Sequence, residues 1–144
     1  MSPRCGAPGD GALRYQFPLK TLLVDIDHAM LQRCVTRVGG RQALTLATSK
    51  AQALHLLRHG PPLDIIVAGE RLEDGSGLAL LDDIHTKWPH LIRVFCTDLH
   101  RLALVRSRLS TLRLRHTLTY PIKPAKLELM LVRLAHAKAG YPAG

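Results

Sequence analysis

A parallel β-sheet covered by helices on both faces is the fold class this 144-residue sequence predicts. Three observations carry that expectation. Apolar runs of five to seven residues recur along the chain, the length of buried strands. Between them, apolar residues recur at helical spacing. Gly, Pro, Asp and Ser cluster at the joints and separate one unit from the next. An apolar content of 47% with 22% charged residues belongs to a globular chain, and the length suits one domain.

The elements follow in order. Residues 1–19 are punctuated by Gly and Pro and are expected to be a mobile tail. "TLLVDID" is a buried strand ending in acids, and Met30, Leu31, Cys34, Val35 and Val38 then mark a helix begun near Asp27 or His28 and stopped by Gly39-Gly40. "QALTLAT" is a second strand, and Ser49 caps a helix with Ala53, Leu54 and Leu57 on its apolar face. "LDIIVA" is the third strand. Asp74-Gly75-Ser76-Gly77 is a turn, in which Asp74 is expected to cap the next helix, the one carrying Leu78, Leu81, Ile84 and Trp88. "IRVFCT" is the fourth strand, and a Leu/Arg-rich helix is expected from about Asp98 to Leu109. "HTLTY" is the fifth strand, before a last helix with Leu127, Met130, Leu131 and Leu134 on one face. A domain over residues 20–139 results, with 140–144 as a tail or the start of a linker.

Charge and composition limit the functions. No apolar run approaches the roughly 18 residues that span a membrane, and the opening residues lack the apolar core of a secretory signal. Cys5, Cys34 and Cys96 are scattered, without metal-ligand spacing, and suit buried thiols in a cytoplasmic protein. Neither a cofactor nor a metal is expected. The net charge is +9, and the span from Leu99 to Leu127 holds seven cations (Arg101, Arg106, Arg108, Arg113, Arg115, Lys123 and Lys126) and no acid. Such a field favours an acidic partner.

Four short signatures in order resemble one family. "LLVDID", "DIIVAGERLEDGSGLALLDDI", "VFCT" and "YPIKP" resemble strand ends and loops of the receiver domain of two-component response regulators. The resemblance implies a flavodoxin-like (βα)5 three-layer sandwich with strand order 2-1-3-4-5. It also implies a site at the carboxyl edge of the sheet, where an aspartate takes a phosphoryl group from a histidine kinase with Mg²⁺ held by neighbouring acids. Here the acceptor position is Gly69, and the second member of the acidic pair is Ile26. Gly69 alone would fit a turn glycine or an engineered change, but with Ile26 it points to natural loss of the site. Asp25 remains, Thr97 matches the phosphoryl-contacting hydroxyl, Tyr120 the switch aromatic, and Lys123 the lysine that pairs with the phosphoaspartate.

Three expectations follow for this remnant. Asp25 and Lys123 form an ion pair in place of the phosphate-dependent network. Glu70 is a solvated surface carboxylate rather than a displaced acceptor or phosphomimic. Asp27 points away and does not replace the missing acid.

The leading functional expectation is a phosphorylation-independent pseudo-receiver, not an enzyme, that binds a protein partner or a second copy. The face of the fourth helix, fifth strand and fifth helix is the one the resemblance assigns to dimerisation and output, and it carries the basic stretch. Arg101, Arg106, Arg108, Arg113 and Arg115 are its candidate contacts, with Leu102, Leu109, Leu112 and Leu114 interleaved. Two alternatives are a receiver phosphorylated at a displaced site and a basic nucleic-acid-binding protein. The first lacks its carboxylates, and the second lacks a helix-turn-helix or zinc signature and has only 4% aromatic residues for stacking. An output domain could follow "AKAGYPAG".

Overall fold

The chain lays its strands side by side in the order β2-β1-β3-β6-β7, all parallel. They are β1 (Lys20–Val24), β2 (Ala43–Ala47), β3 (Ile65–Gly69), β6 (Ile92–Thr97) and β7 (His116–Thr119). Two short strands, β4 (Arg71–Leu72) and β5 (Gly75–Ser76), make a separate antiparallel ribbon. The helices are α1 (His28–Val38), α2 (Lys50–His59), α3 (Gly77–Lys87), α4 (Leu99–Thr111) and α5 (Pro124–Lys138). This computed structural model describes residues 19–38 and 43–138. The main sheet is parallel, as the sequence predicts, and has the flavodoxin-like order 2-1-3-4-5 that the resemblance implies.

Period-two alternation sorts the strand residues into two cores. Leu22 and Val24 of β1, Ile66 and Ala68 of β3, and Phe95 of β6 pack with α2, α3 and α4. Leu23, Ile65, Val67, Val94 and Cys96 point the other way, toward α1 and α5. Each fully buried aliphatic side chain contributes about 1.5–3 kcal/mol relative to exposure, so a one-residue slip would invert both layers at once. Leu19, placed in the expected tail, is buried in the second core. The rest of both tails, Cys5 and the Gly39-Gly40 stop lie outside the described residues. Cys34 and Cys96 are buried free thiols. Among the described residues no helix is long and apolar enough to cross a membrane.

Capping departs from expectation at one residue. Ser49 caps α2 by accepting from Gln52 N–H at 3.0 Å. Asp74, expected to cap α3, accepts instead from Lys50 N–H at 2.6 Å and Ala51 N–H at 3.0 Å, at the start of α2. Ser76 caps α3. The reason is the β4–β5 ribbon, which folds back over the carboxyl edge of the sheet and carries Asp74 toward α2. Ribbon and sheet are joined by Glu73 N–H donating to Thr48 O and Ile26 N–H donating to Arg71 O. Helix α4 begins one residue later and ends two residues beyond the expected span.

One buried cation was not anticipated. Arg93 sits in β6 and is 8% exposed. Its guanidinium donates to Leu81 O at 3.2 Å on one side and to Leu112 O at 3.0 Å and Arg113 O at 3.3 Å on the other. It therefore ties α3 to the turn after α4, where Arg113 adopts a left-handed backbone with φ 59° that a branched or bulky residue seldom takes.

Candidate functional site at the carboxyl edge of the sheet

Parallel strands end together, so their last residues form a row. Asp25 follows β1, Gly69 ends β3, Thr97 ends β6, and Tyr120 follows β7. Asp25 is 3% exposed and Thr97 is fully buried. Both carboxylate oxygens of Asp25 are engaged: Oδ1 accepts from Asp27 N–H at 3.0 Å, and Oδ2 accepts from the Tyr120 hydroxyl. Burial raises the Asp25 carboxyl above its ordinary value, against the opposing pull of these two donors. Burial and the adjacent carboxylate push the Tyr120 phenol upward as well.

Gly69 makes this contact possible. A Cβ built there would lie 2.6 Å from Asp25 Cγ, and closer still to Asp25 Oδ2 and the Tyr120 hydroxyl. The volume in which an acceptor side chain would begin is therefore occupied by the Asp25–Tyr120 pair. Gly77 is needed for a similar reason: its own Cβ would collide with Gly69 O, and its N–H donates to Glu70 O at 3.0 Å.

The expected Asp25–Lys123 ion pair does not form. Lys123 is exposed, and among the described residues the ion pairs are Lys50–Asp83 and Arg101–Glu70. Tyr120 takes Asp25 because its ring reaches into the volume left open by Gly69, while Lys123 stays in water at no desolvation cost.

Glu70 is likewise not a solvated carboxylate. Its side chain is 19% exposed. Oε1 accepts from the buried Thr97 hydroxyl, and Oε2 accepts from Arg101 Nε at 2.9 Å and Nη2 at 2.5 Å. Arg101, assigned from sequence to a partner surface, therefore belongs to this edge. The Arg101 hydrogen bonds, ahead of Thr97, hold the Glu70 carboxyl below its ordinary value of 4.5 despite some desolvation.

The two acids respond to pH with opposite sign. Glu70 has a depressed folded value, so its stabilisation is complete above 4.5 and is lost as pH falls through the folded value. Asp25 has a raised one, so its contribution becomes more favourable as pH falls toward its ordinary 3.8. Glu70→Gln is expected to melt about 3–6 °C below wild type at neutral pH, with a gap that narrows below pH ~4.5. Thermal unfolding of both proteins across the acidic range checks this; a gap independent of pH would remove Glu70 from the pH response.

The residues present do not fit a bound Mg²⁺. Ile26, at the position where the resemblance implies a second acid, is apolar and 50% exposed. Gly69 supplies no ligand, Asp25 has both oxygens committed, and Asp27 accepts from Met30 N–H at 3.0 Å as the cap of α1. Among the described residues no group of three or more His, Cys, Asp or Glu is arranged to hold a metal. A cleft of about 300 Å³ opens here, lined by Asp25, Ile26, Asp27, Glu70, Asp98 and Arg101 among others.

The remaining sequence candidates lie apart. Arg106, Arg113 and Arg115 share a groove between α4 and β7, and Arg108 is exposed on α4. The leucines expected among them as contact residues are not available: Leu109 and Leu114 are buried, and Leu102 and Leu112 pack against the same core.

No protein-family model matches the sequence, and no curated protein matches it. Solved structures do. The chain is 26% identical to the signal receiver domain of an HD domain-containing protein from Pseudomonas fluorescens Pf-5, with a TM-score of 0.72 over 85% of this chain and 97% of that one. The receiver domain of the Francisella response regulator 1452 is 20% identical, with a TM-score of 0.73 over 83% and 98% of the two chains. A structure of adenylate cyclase from Rhodopirellula baltica is 15% identical, with a TM-score of 0.74 over 86% and 94%; that likeness is one of fold alone. The solved structures it resembles are thus largely response-regulator receiver domains.

Proposed function

We propose that the chain is a phosphorylation-independent pseudo-receiver, a protein-interaction or dimerisation module in signal transduction that works through the face of α4, β7 and α5. Its likeness in fold to response-regulator receivers supports a signalling role. The observation that carries the finer reading is the Asp25–Tyr120 hydrogen bond standing where a phosphoacceptor side chain would begin. The edge has no free carboxylate nucleophile at β3, and its hydroxyl and guanidinium are already engaged by Glu70. The basic residues near α4 and β7 give the same module an electrostatic face for an acidic partner.

Two measurements test the two halves of this reading. Incubation with acetyl phosphate and Mg²⁺ is expected to leave the intact mass unchanged, and a stoichiometric, base-labile phosphoryl adduct would overturn phosphorylation independence. Changing Arg106, Arg108 and Arg113 together to Glu is expected to weaken self-association or partner capture at least about tenfold, mostly through the association rate. Sedimentation and pull-down in low and high salt read this. A folded variant indistinguishable from wild type would reduce the basic face to a solvated surface.

A further inference from the structure

Strand β7 is an edge: among the described residues it pairs with β6 on one side and with no strand on the other. All four of its residues are only partly buried. Among the described residues, its outward backbone groups have no backbone partner in any loop or turn. Such a row is a template for an added strand.

The two sides of this edge differ in chemistry. Toward α4, Arg115 and Thr117 join Arg106, Ser110 and Arg113 around a groove of about 640 Å³ floored by leucines. None of the three arginines forms an ion pair with a described residue. Arg93, buried beneath, holds the carbonyls of Leu112 and Arg113 and so fixes the wall from which the Arg113 side chain departs. Toward α5, His116 and Leu118 join Leu129, Met130 and Leu134 around a mainly apolar groove of about 480 Å³, which the exposed Lys126 and Arg133 also line. Leu129 is half-exposed there. Within the strand, Thr117 lines the first groove and Leu118 the second, the period-two alternation of β7, while Arg115 and His116 at its start also share a cleft with Arg93 and Arg113.

We propose that the β7 edge is a docking site for an extended segment of a partner protein in which acidic and apolar residues alternate. This rests on the reading of the α4–β7–α5 face as the interaction surface, and it names the occupant. An added strand directs successive side chains to opposite faces. Its acidic residues enter the groove of Arg106, Arg113 and Arg115, where guanidiniums grip carboxylates bidentately. Its apolar residues enter the groove of Leu118, Leu129, Met130 and Leu134, and its backbone completes the edge. Charge excludes the nearest alternatives. A second copy pairing β7 with β7 would bring like-charged arginine grooves together, so strand pairing at this edge is not how self-association through the α4–β7–α5 face would form. Residues 1–18 carry one acid and two arginines, and 139–144 carry no charge, so neither terminal stretch of this chain supplies the pattern.

Fluorescence anisotropy with the full chain and labelled peptides of about seven residues, roughly 3.3 Å each along the edge, tests the pairing. Three probes are used: one alternating Asp with Leu or Val, an isomer of identical composition with its acids in one block, and the alternating peptide N-methylated at every second amide. The alternating peptide is expected to bind at least about tenfold tighter than the other two. Arg106→Glu with Arg115→Glu, and separately Leu129→Asp, should each lose that preference while circular dichroism stays unchanged. Equal binding of the alternating and block isomers, undiminished binding after N-methylation, or equal displacement by single-stranded oligonucleotide would overturn the proposal in favour of a plain anion-attracting surface. No binding of any peptide would overturn it too. If partner capture still depends on Arg106, Arg108 and Arg113 in that case, the interaction face stands and only its occupant is wrong.

Discussion

Gly69→Ala is expected to destabilise the fold by about 2–4 kcal/mol, an unusually large effect for one added methyl at the end of a strand. The methyl would land on Asp25 Oδ2 and the Tyr120 hydroxyl. These are the two ends of one hydrogen bond, and neither can move without leaving the buried Asp25 Oδ2 without its donor. The overlap and the lost hydrogen bond therefore add. Tyr120→Phe alone leaves Asp25 Oδ2 without its donor and should cost about 1–3 kcal/mol. In that background the phenol oxygen is gone and the ring can retreat, so Gly69→Ala should cost at least about 1 kcal/mol less. A double-mutant cycle in urea measures the difference, and strictly additive losses would show that the methyl and the hydroxyl do not compete for one space. The same geometry bears on attempts to rebuild an acceptor. Gly69→Asp must expel Tyr120 before its carboxylate can form, so it should be destabilising and inert toward acetyl phosphate.

Arg93→Met should cost about 2–4 kcal/mol, although the substitution removes a buried cation that forms no ion pair with a carboxylate among the described residues. Methionine fills much of the volume but leaves Leu81 O, Leu112 O and Arg113 O without this donor. Arg93→Lys should recover little of the loss, because one ammonium on a flexible stem cannot reach both sides as a planar fork does. Urea midpoints of the two variants read the effect. If lysine restored wild-type stability, charge rather than the two-sided reach would be what matters at this position.

The strands and their two-sided cores were legible because burial on both faces leaves a run of apolar residues too short to be a helix. The row of Asp25, Gly69, Thr97 and Tyr120 was picked out by the resemblance, and parallel strands bring such last residues together. Which of these residues touch was not. Lys123 was the expected partner of Asp25, and Tyr120 takes its place through a volume that exists only because Gly69 has no side chain. Glu70 was misplaced because strand alternation was extended past the end of β3. The chain turns there toward the β4–β5 ribbon, and a long side chain can swing back to Thr97. Arg101 follows three residues after Asp98 in sequence, yet nothing local signals that it closes on Glu70. The leucines of α4 carry a simpler lesson. Leu102, Val105 and Leu109 are spaced by three and four residues and form one buried stripe, so leucines interleaved with arginines along the chain are not interleaved on its surface.

The Glu70 contacts have a consequence for how such a protein could be controlled. A switch needs two arrangements of similar free energy and a ligand that prefers one of them. Here the carboxylate that engages the Thr97 hydroxyl and the first turn of α4 is part of the chain, present at a fixed ratio of one and never removed by a phosphatase. Under the proposed function the edge of the sheet has no empty state to return to. Information would then enter through how many copies are made and which partners are within reach, and the protein would behave as a scaffold with a dose rather than a relay with a memory.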